Sequence, residues 1–168
     1  MIVGEQLQLI YNKWSQMPLD LMLLAKQCSP TVAPITMVTL VKTESKGNPL
    51  AIGLNGAILK YQPKTESQAI AWVKYLDKHG YNFDVGLGQV NIANIRKYKL
   101  KPEQLFNPCL NLRLSGDILT KNYIAAKKQV REPQLALQRA LSAYNTGNQY
   151  SGFNNGYLRK ILNNVPVD

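Results

Sequence analysis

Few residues in this 168-residue chain can move protons: ten Asp and Glu residues and a single histidine. The carboxylates are Glu5, Asp20, Glu44, Glu66, Asp77, Asp84, Glu103, Asp117, Glu132 and Asp168. His79 stands in Asp77-Lys78-His79-Gly80, which reads as a helix end, so a Ser–His–Asp triad or a thiol protease has no well-placed base. One histidine and two distant cysteines do not make a structural zinc site. Neither a GxxxxGK[ST] nor a GxGxxG run is present, which argues against nucleotide binding through a glycine loop. An enzyme built from this chain works with carboxylates and needs no metal or cofactor.

Glu44 stands out by position. Val41, Leu40 and Met37 precede it at helical spacing, so a helix places Glu44 on its apolar face. It also falls in the last turn, where the helix dipole disfavours another negative charge. Burial and dipole both raise the carboxyl pKa, the setting a general acid needs. The plain alternative is a helix-end Glu that reaches solvent or pairs with Lys42 or Lys46. Asp84, just before a glycine turn, is the natural second carboxylate for two-carboxylate glycoside hydrolysis. Asp is also common before such turns for backbone hydrogen bonding, and that structural role is the simpler one. Asp117 mid-helix, Glu66 in a capping box and Asp77 beside Lys74 and Lys78 have ordinary explanations. Loops contribute Gln89, Asn91, Tyr144, Asn145, Tyr150, Phe153 and Tyr157. Amides match sugar hydroxyls and acetamido groups, and aromatic rings stack on sugar faces, so a carboxylic acid beside them suggests carbohydrate chemistry.

The elements that must hold these residues are mostly helical. Apolar spacing predicts helices over 5–14, 18–27 and 34–45, the last opened by Pro34 and stopped by Gly47-Asn48-Pro49. Asn55-Gly56 between Ala51–Leu54 and Ile58–Tyr61 predicts a small β-hairpin near 51–61. Thr65-Glu66-Ser67-Gln68 is a capping box for a helix that Gly80 ends, with Ala69, Trp72, Val73 and Leu76 as its buried stripe. A short helix near 91–97, longer ones over 109–128 and 133–143, a loop over 144–156 and a last helix from Tyr157 to about Asn164 complete the chain. The expectation is one mainly α domain, α+β in detail, over 1–168. Hydrophobic residues make up 45% and charged residues 18%, an ordinary globular balance, and no run of eighteen apolar residues could span a membrane. Net charge +10 points to an anionic partner: nucleic acid, acidic lipid or the carboxylate-rich bacterial cell wall. Cys28 and Cys109 are either two unrelated buried thiols or one disulfide, which would imply an oxidising compartment. Met1-Ile2-Val3-Gly4-Glu5 has no basic n-region or apolar h-region, so export is either unusual or already processed; a mature form with an added methionine is the preferred reading.

Five blocks in order then carry a resemblance. Thr43-Glu44-Ser45 with Asn48-Pro49, Gly86-Leu87-Gly88-Gln89-Val90-Asn91 and Ala143-Tyr144-Asn145-Thr146-Gly147 resemble the Glu-Ser, Gly-Leu-Met-Gln and Ala-Tyr-Asn signatures of the lysozyme-like soluble lytic transglycosylases. Asn107-Pro108-Cys109-Leu110-Asn111-Leu112 resembles the segment before that family's long helix, and Gly156–Leu162 its closing tyrosine helix. The likeness covers about 28–162. Gly88 in place of the usual Met, the long insert at 51–80, Cys28-Ser29-Pro30 and Pro108-Cys109 resemble the subgroup that accompanies type IV secretion and conjugation machines.

The resemblance implies a lysozyme-like fold and a peptidoglycan lytic transglycosylase with Glu44 as its only catalytic acid/base. Glu44 would protonate the glycosidic oxygen between N-acetylmuramic acid and N-acetylglucosamine, then deprotonate the muramic 6-hydroxyl as it closes a 1,6-anhydro ring. The substrate's acetamido group replaces a second carboxylate. Tyr157 would position Glu44, while Ser45, Gln89, Asn91, Tyr144 and Asn145 shape the sugar subsites. The implied setting is a periplasmic monomer acting on glycan strands beside a secretion or conjugation complex. Two other readings stay open: a lysozyme of the same fold using Asp84 or an activated water, and a non-catalytic wall- or nucleic-acid-binding module suggested by Arg96-Lys97-Tyr98-Lys99-Leu100-Lys101.

Overall fold

A computed structural model describes residues 19–166; the stretch 5–14, expected to be helical, lies outside them. Asp20 caps the first described helix, α1 (Leu21–Cys28), by accepting from the Leu23 amide at 3.0 Å. The helix expected from residue 18 therefore begins at Leu21. α2 (Pro34–Ser45) has Pro34 in its first turn and closes where Lys46 turns left-handed at φ 56°. Its buried face is Met37, Val38, Leu40 and Val41.

The hairpin expected near 51–61 is corrected. The Asn55-Gly56 turn forms, but only its first arm, β1 (Ile52–Leu54), is a strand. β1 pairs antiparallel with β2 (Phe83–Val85), which pairs antiparallel with β3 (Val90–Asn91). The Gln62 side chain explains the missing arm. Its Oε1 accepts from the Ile52 amide at 2.9 Å and its Nε2 donates to the Ile52 carbonyl at 2.8 Å, which caps the free edge of β1. Ile58, 94% exposed, has no core to face.

α3 (Glu66–Lys78) starts from Thr65, whose hydroxyl accepts from the Gln68 amide at 3.2 Å. The reciprocal arm of the capping box differs, because Gln68 Oε1 accepts from the Lys64 amide instead. α4 (Ile92–Lys97), a 3-10 turn (Pro102–Phe106), α5 (Pro108–Lys127), α6 (Pro133–Thr146), α7 (Ser151–Asn154) and α8 (Tyr157–Asn163) follow. The expected loop over 144–156 is thus shorter. α6 runs on through Tyr144 and Asn145 to Gly147 at φ 79°, and Ser151–Asn154 forms one more turn.

Two apolar cores result. One joins α1, α2, α5, α6 and α8 around Met37, Leu40, Leu112, Leu119 and Leu141. The other packs the sheet, α3 and α4 around Ile52, Val73, Phe83, Ile95 and Leu105. The twenty-residue α5 serves both: Leu112 and Leu119 face the first, Leu114 the second. Cys28 at the end of α1 and Cys109 at the start of α5 form a disulfide with their Cα atoms 5.2 Å apart. Closing a loop of 81 residues contributes about 4 kcal/mol by the loop-entropy argument. Reduction, or Cys28→Ser with Cys109→Ser, is expected to lower unfolding free energy by about that amount in urea titrations. No helix among the described residues is long and apolar enough to cross a membrane.

Candidate active site

Glu44 comes to its place because α2 must bury Val41, Leu40 and Met37, and the next turn of that face opens into the gap between the two cores. The gap is a cleft of about 410 Å³. Its walls are Glu44 from α2, Asn55 after β1, Asn82 and Asp84 at β2, Gln89, Val90 and Asn91 at β3, Asn94 on α4, Ile118 on α5, and Ala143, Tyr144, Asn145 and Gly147 at the end of α6. The lining is rich in amides and poor in apolar side chains, so it offers many paired donors and acceptors.

Burial pushes the Glu44 carboxyl up to about 7. The Tyr157 hydroxyl donates to Glu44 Oε1 at 2.6 Å and pulls the other way, the Asp84 charge raises it further, and Lys160 lowers it. Tyr157 itself is buried, and both burial and the neighbouring Glu44 hold its phenol protonated and available as a donor. Glu44 thus stands poised between acid and base at neutral pH. Tyr157→Phe removes a bond that favours the carboxylate, so Glu44 should titrate higher. We expect about tenfold lower kcat and an alkaline limb moved to higher pH. A pH–rate profile reads both, and the limb would not move if Tyr157 were structural only.

The glycine turn is built around Asn111, a buried side chain at the start of α5. Its Nδ2 donates to the carbonyls of Val85 and Leu105, each at 2.9 Å, while its Oδ1 accepts from the Gly88 amide at 2.8 Å. A Cβ on Gly86, whose φ is 75°, would lie 2.3 Å from Asn111 Nδ2. A Cβ on Gly88 would lie 2.0 Å from Ser115 Oγ and 2.9 Å from the Tyr144 hydroxyl. Gly88 therefore leaves no room for a side chain, because Ser115 and Tyr144 fill that space. Tyr144 uses the closeness to donate to the Gly88 carbonyl at 2.6 Å, tying the end of α6 to the turn.

The residues singled out in the sequence divide by place. Glu44, Gln89, Asn91, Tyr144 and Asn145 line one cleft, and Tyr157 touches it through Glu44. Ser45 does not reach it: its side chain is buried and its hydroxyl donates to the Val41 carbonyl at 3.1 Å. Gln89, at φ 48°, donates through Nε2 to the carbonyls of Ala51 and Gly86. Asn91 caps α4 and donates to Asp84 Oδ1 at 2.8 Å. Asn145 accepts from Asn155 at 3.0 Å. Asp84 is more than a turn residue, because its carboxylate faces the cleft, held by Asn91 and Asn55 and pushed up by burial. Asn55, Asn82, Asn94 and Asn111 were not singled out for the site; Asn55 was visible only as a turn signal and Asn111 only inside a resembling block. Within the basic run, Arg96 pairs with Asp77 at 2.5 Å and the Tyr98 hydroxyl donates to Asp117 beneath Lys121, while Lys97, Lys99 and Lys101 stand exposed.

The family profile described as "Transglycosylase SLT domain" matches residues 22–160. The chain is 40% identical over 152 residues to the "Type IV secretion system protein virB1" of Brucella abortus biovar 1 (strain 9-941), which is 87% of this chain and 64% of that protein. It is 38% identical over 139 residues to "Protein virB1" of Rhizobium radiobacter, covering 82% of this chain and 57% of the relative. It is 36% identical over 139 residues to "Protein virB1" of Agrobacterium fabrum (strain C58 / ATCC 33970), covering 82% and 56%. The chain spans less than two thirds of the length of these curated relatives. No solved structure matches it.

Proposed function

We propose a reaction on the premise that this chain belongs to the transglycosylase SLT family, whose profile matches it over residues 22–160: lytic cleavage of the β-1,4 bond between N-acetylmuramic acid and N-acetylglucosamine in peptidoglycan. The observation that carries it is Glu44, half-buried in an amide-lined cleft with its carboxyl held near 7 and one oxygen bonded to Tyr157. Protonated Glu44 gives its proton to the glycosidic oxygen as the bond to the muramic anomeric carbon breaks. The resulting carboxylate takes the proton from the muramic 6-hydroxyl, whose oxygen bonds to that carbon. The products are a 1,6-anhydromuramic end and a free 4-hydroxyl, with no water consumed. Glu44 ends protonated, ready for another turnover. The substrate's acetamido group stabilises the cation between the two steps, so no second carboxylate need act as nucleophile. Gln89, Asn91, Tyr144 and Asn145 shape the sugar subsites. Ser45 acts from behind, through the helix end that carries Glu44.

The likeness to virB1 proteins supports a role in opening the wall for a type IV secretion or conjugation apparatus. The disulfide supports an oxidising site of action such as the periplasm. The excess of 20 basic over 10 acidic side chains suits an anionic wall. We infer a single domain acting as a monomer on glycan strands.

The test is a digest of purified peptidoglycan by the parent and by Glu44→Gln, read by mass spectrometry, with anhydro-muropeptides expected from the parent alone. Asp84 in the same cleft favours one second reading, hydrolysis with ordinary reducing-end products. The two readings part at Asp84→Asn. For a lytic transglycosylase the variant stays active, but loss of the Asp84 charge lowers the Glu44 pKa and moves the alkaline limb to lower pH, opposite to Tyr157→Phe. For a hydrolase that uses Asp84, the variant is dead at every pH.

A further inference from the structure

The insert between the first two signature blocks carries an aromatic face that the cleft does not use. On α3, Ala69, Val73 and Leu76 turn to the core, while Gln68, Trp72, Tyr75 and His79 form a stripe along one exposed flank at helical spacing. Trp72 and Tyr75 meet edge to face, with ring centroids 6.2 Å apart and planes at 87°. Tyr75 is fixed between His79, whose ring centre is 4.1 Å away, and Tyr81 at 6.4 Å. Trp72, expected in the buried stripe of this helix, is instead 41% exposed, and Tyr75 is 49% exposed. Gln68, Ala71, Trp72 and Tyr75 line a shallow, open depression on this flank.

The chemistry of that depression is specific. Two ring surfaces stand nearly perpendicular around a small Ala71 floor. Gln68 Oε1 is occupied by the Lys64 amide, and among the described residues its Nε2 has no protein acceptor. Lys74 and Lys78 stand exposed on the next faces of the helix. An aromatic wall, a free amide donor and flanking cations match a pyranose ring with acetamido and carboxylate substituents. The core of a protein–protein contact would be depleted of such charges. Tyr81 stacks beside Tyr75 and is followed in the chain by Asn82, which lines the cleft. Rings held by their neighbours lose little freedom on binding.

We propose that the Trp72–Tyr75 face of α3 is a second carbohydrate site that holds an N-acetylated β-1,4-linked aminosugar strand outside the cleft and keeps the enzyme on the polymeric wall. This rests on the peptidoglycan reading above. Trp14 and Trp72 are the two tryptophans, so Trp14→Phe leaves Trp72 as the sole tryptophan, read by excitation at 295 nm where tyrosine hardly absorbs. In Glu44→Gln with Trp14→Phe, N-acetylchitohexaose should change Trp72 fluorescence saturably. In sedimentation with insoluble peptidoglycan, Trp72→Ala with Tyr75→Ala, and separately Ala71→Glu, should bind about tenfold more weakly than the parent, with Trp72→Phe close to the parent. Circular dichroism should be unchanged, and turnover of a short soluble muropeptide should stay within about twofold, since these side chains are on the surface and outside the cleft. Absence of a fluorescence change, or α3 variants that sediment like the parent, would overturn the site. If the parent releases anhydro sugars while the α3 variants sediment normally, this site alone fails. If the wall is bound through α3 but never cut, the catalytic reading alone fails.

Discussion

On the proposed mechanism, Glu44→Gln is expected to abolish wall cleavage, with kcat at least about 10³-fold lower, because one side chain would supply both the acid and the base step. Gln has nearly the shape of Glu and can still accept from Tyr157, so the cleft should keep its form. The same variant should be more stable than the parent in alkaline buffer. The Glu44 carboxyl moves from 4.5 unfolded to about 7 folded, chiefly through burial. A folded pKa above the unfolded one means its contribution to stability is whole below 4.5 and is lost as pH rises through 7. An ionised Glu44 therefore costs the fold about 3 kcal/mol above pH 7. Urea unfolding at pH 8 should show Glu44→Gln gaining up to about 3 kcal/mol, with no gain at pH 4, where both states are protonated. A variant that is inactive and less stable at both pH values would show that Glu44 holds the structure together and would remove the argument for it as a tuned acid. Parent activity should fall above about 7, since the first step needs the protonated form.

The second large effect is expected at a residue that does not face the substrate. Asn111→Ala leaves the Gly88 amide and the Val85 and Leu105 carbonyls without their partner in a fully buried place. Each unmet buried group costs about 1–3 kcal/mol, so the sum is roughly 5 kcal/mol, comparable to the whole stability of many domains. Thermal unfolding should shift down by roughly 15 °C for a chain of this size. Activity should fall with it even below the transition, because the turn carrying Gln89 is held to α5 through this one amide. A shift of only a few degrees would mean that water replaces the side chain and that the turn does not depend on Asn111. Asn111→Asp is the sharper companion. It keeps the acceptor for Gly88, loses the donor to Val85 and Leu105, and places a carboxylate against two carbonyls, so it should be no better than Ala.

How far these conclusions were readable from residues alone varies by element. α2 was legible to its ends, because Pro34 presets the first turn, the apolar spacing continues to Val41, and Gly47-Asn48-Pro49 stops the helix. Glu44 followed from it, since helix periodicity places side chains without any knowledge of neighbours. The hairpin at 51–61 misled for the opposite reason. Asn55-Gly56 forms its turn as local chemistry requires, but strand partners are a non-local choice, and Gln62 occupies the edge that Ile58–Tyr61 would have used. Tyr144 and Asn145 looked like loop residues because Asn and Gly cluster after them, yet α6 carries both into the cleft.

Local pattern, then, was enough for which stretches are helical, for the acidic residue on a buried face, and for the chemistry that amides and aromatics beside it could serve. Those properties depend on spacings of three or four residues along one element. The pairing of Tyr157 with Glu44 across 113 positions, the presence of Asp84 in the same cleft, and the bracket that Asn111 makes for the glycine turn depend on how two cores close against the shared α5. Contacts between distant parts of a chain are chosen by packing and by the need to satisfy every buried polar group at once, and no short window of sequence contains that sum.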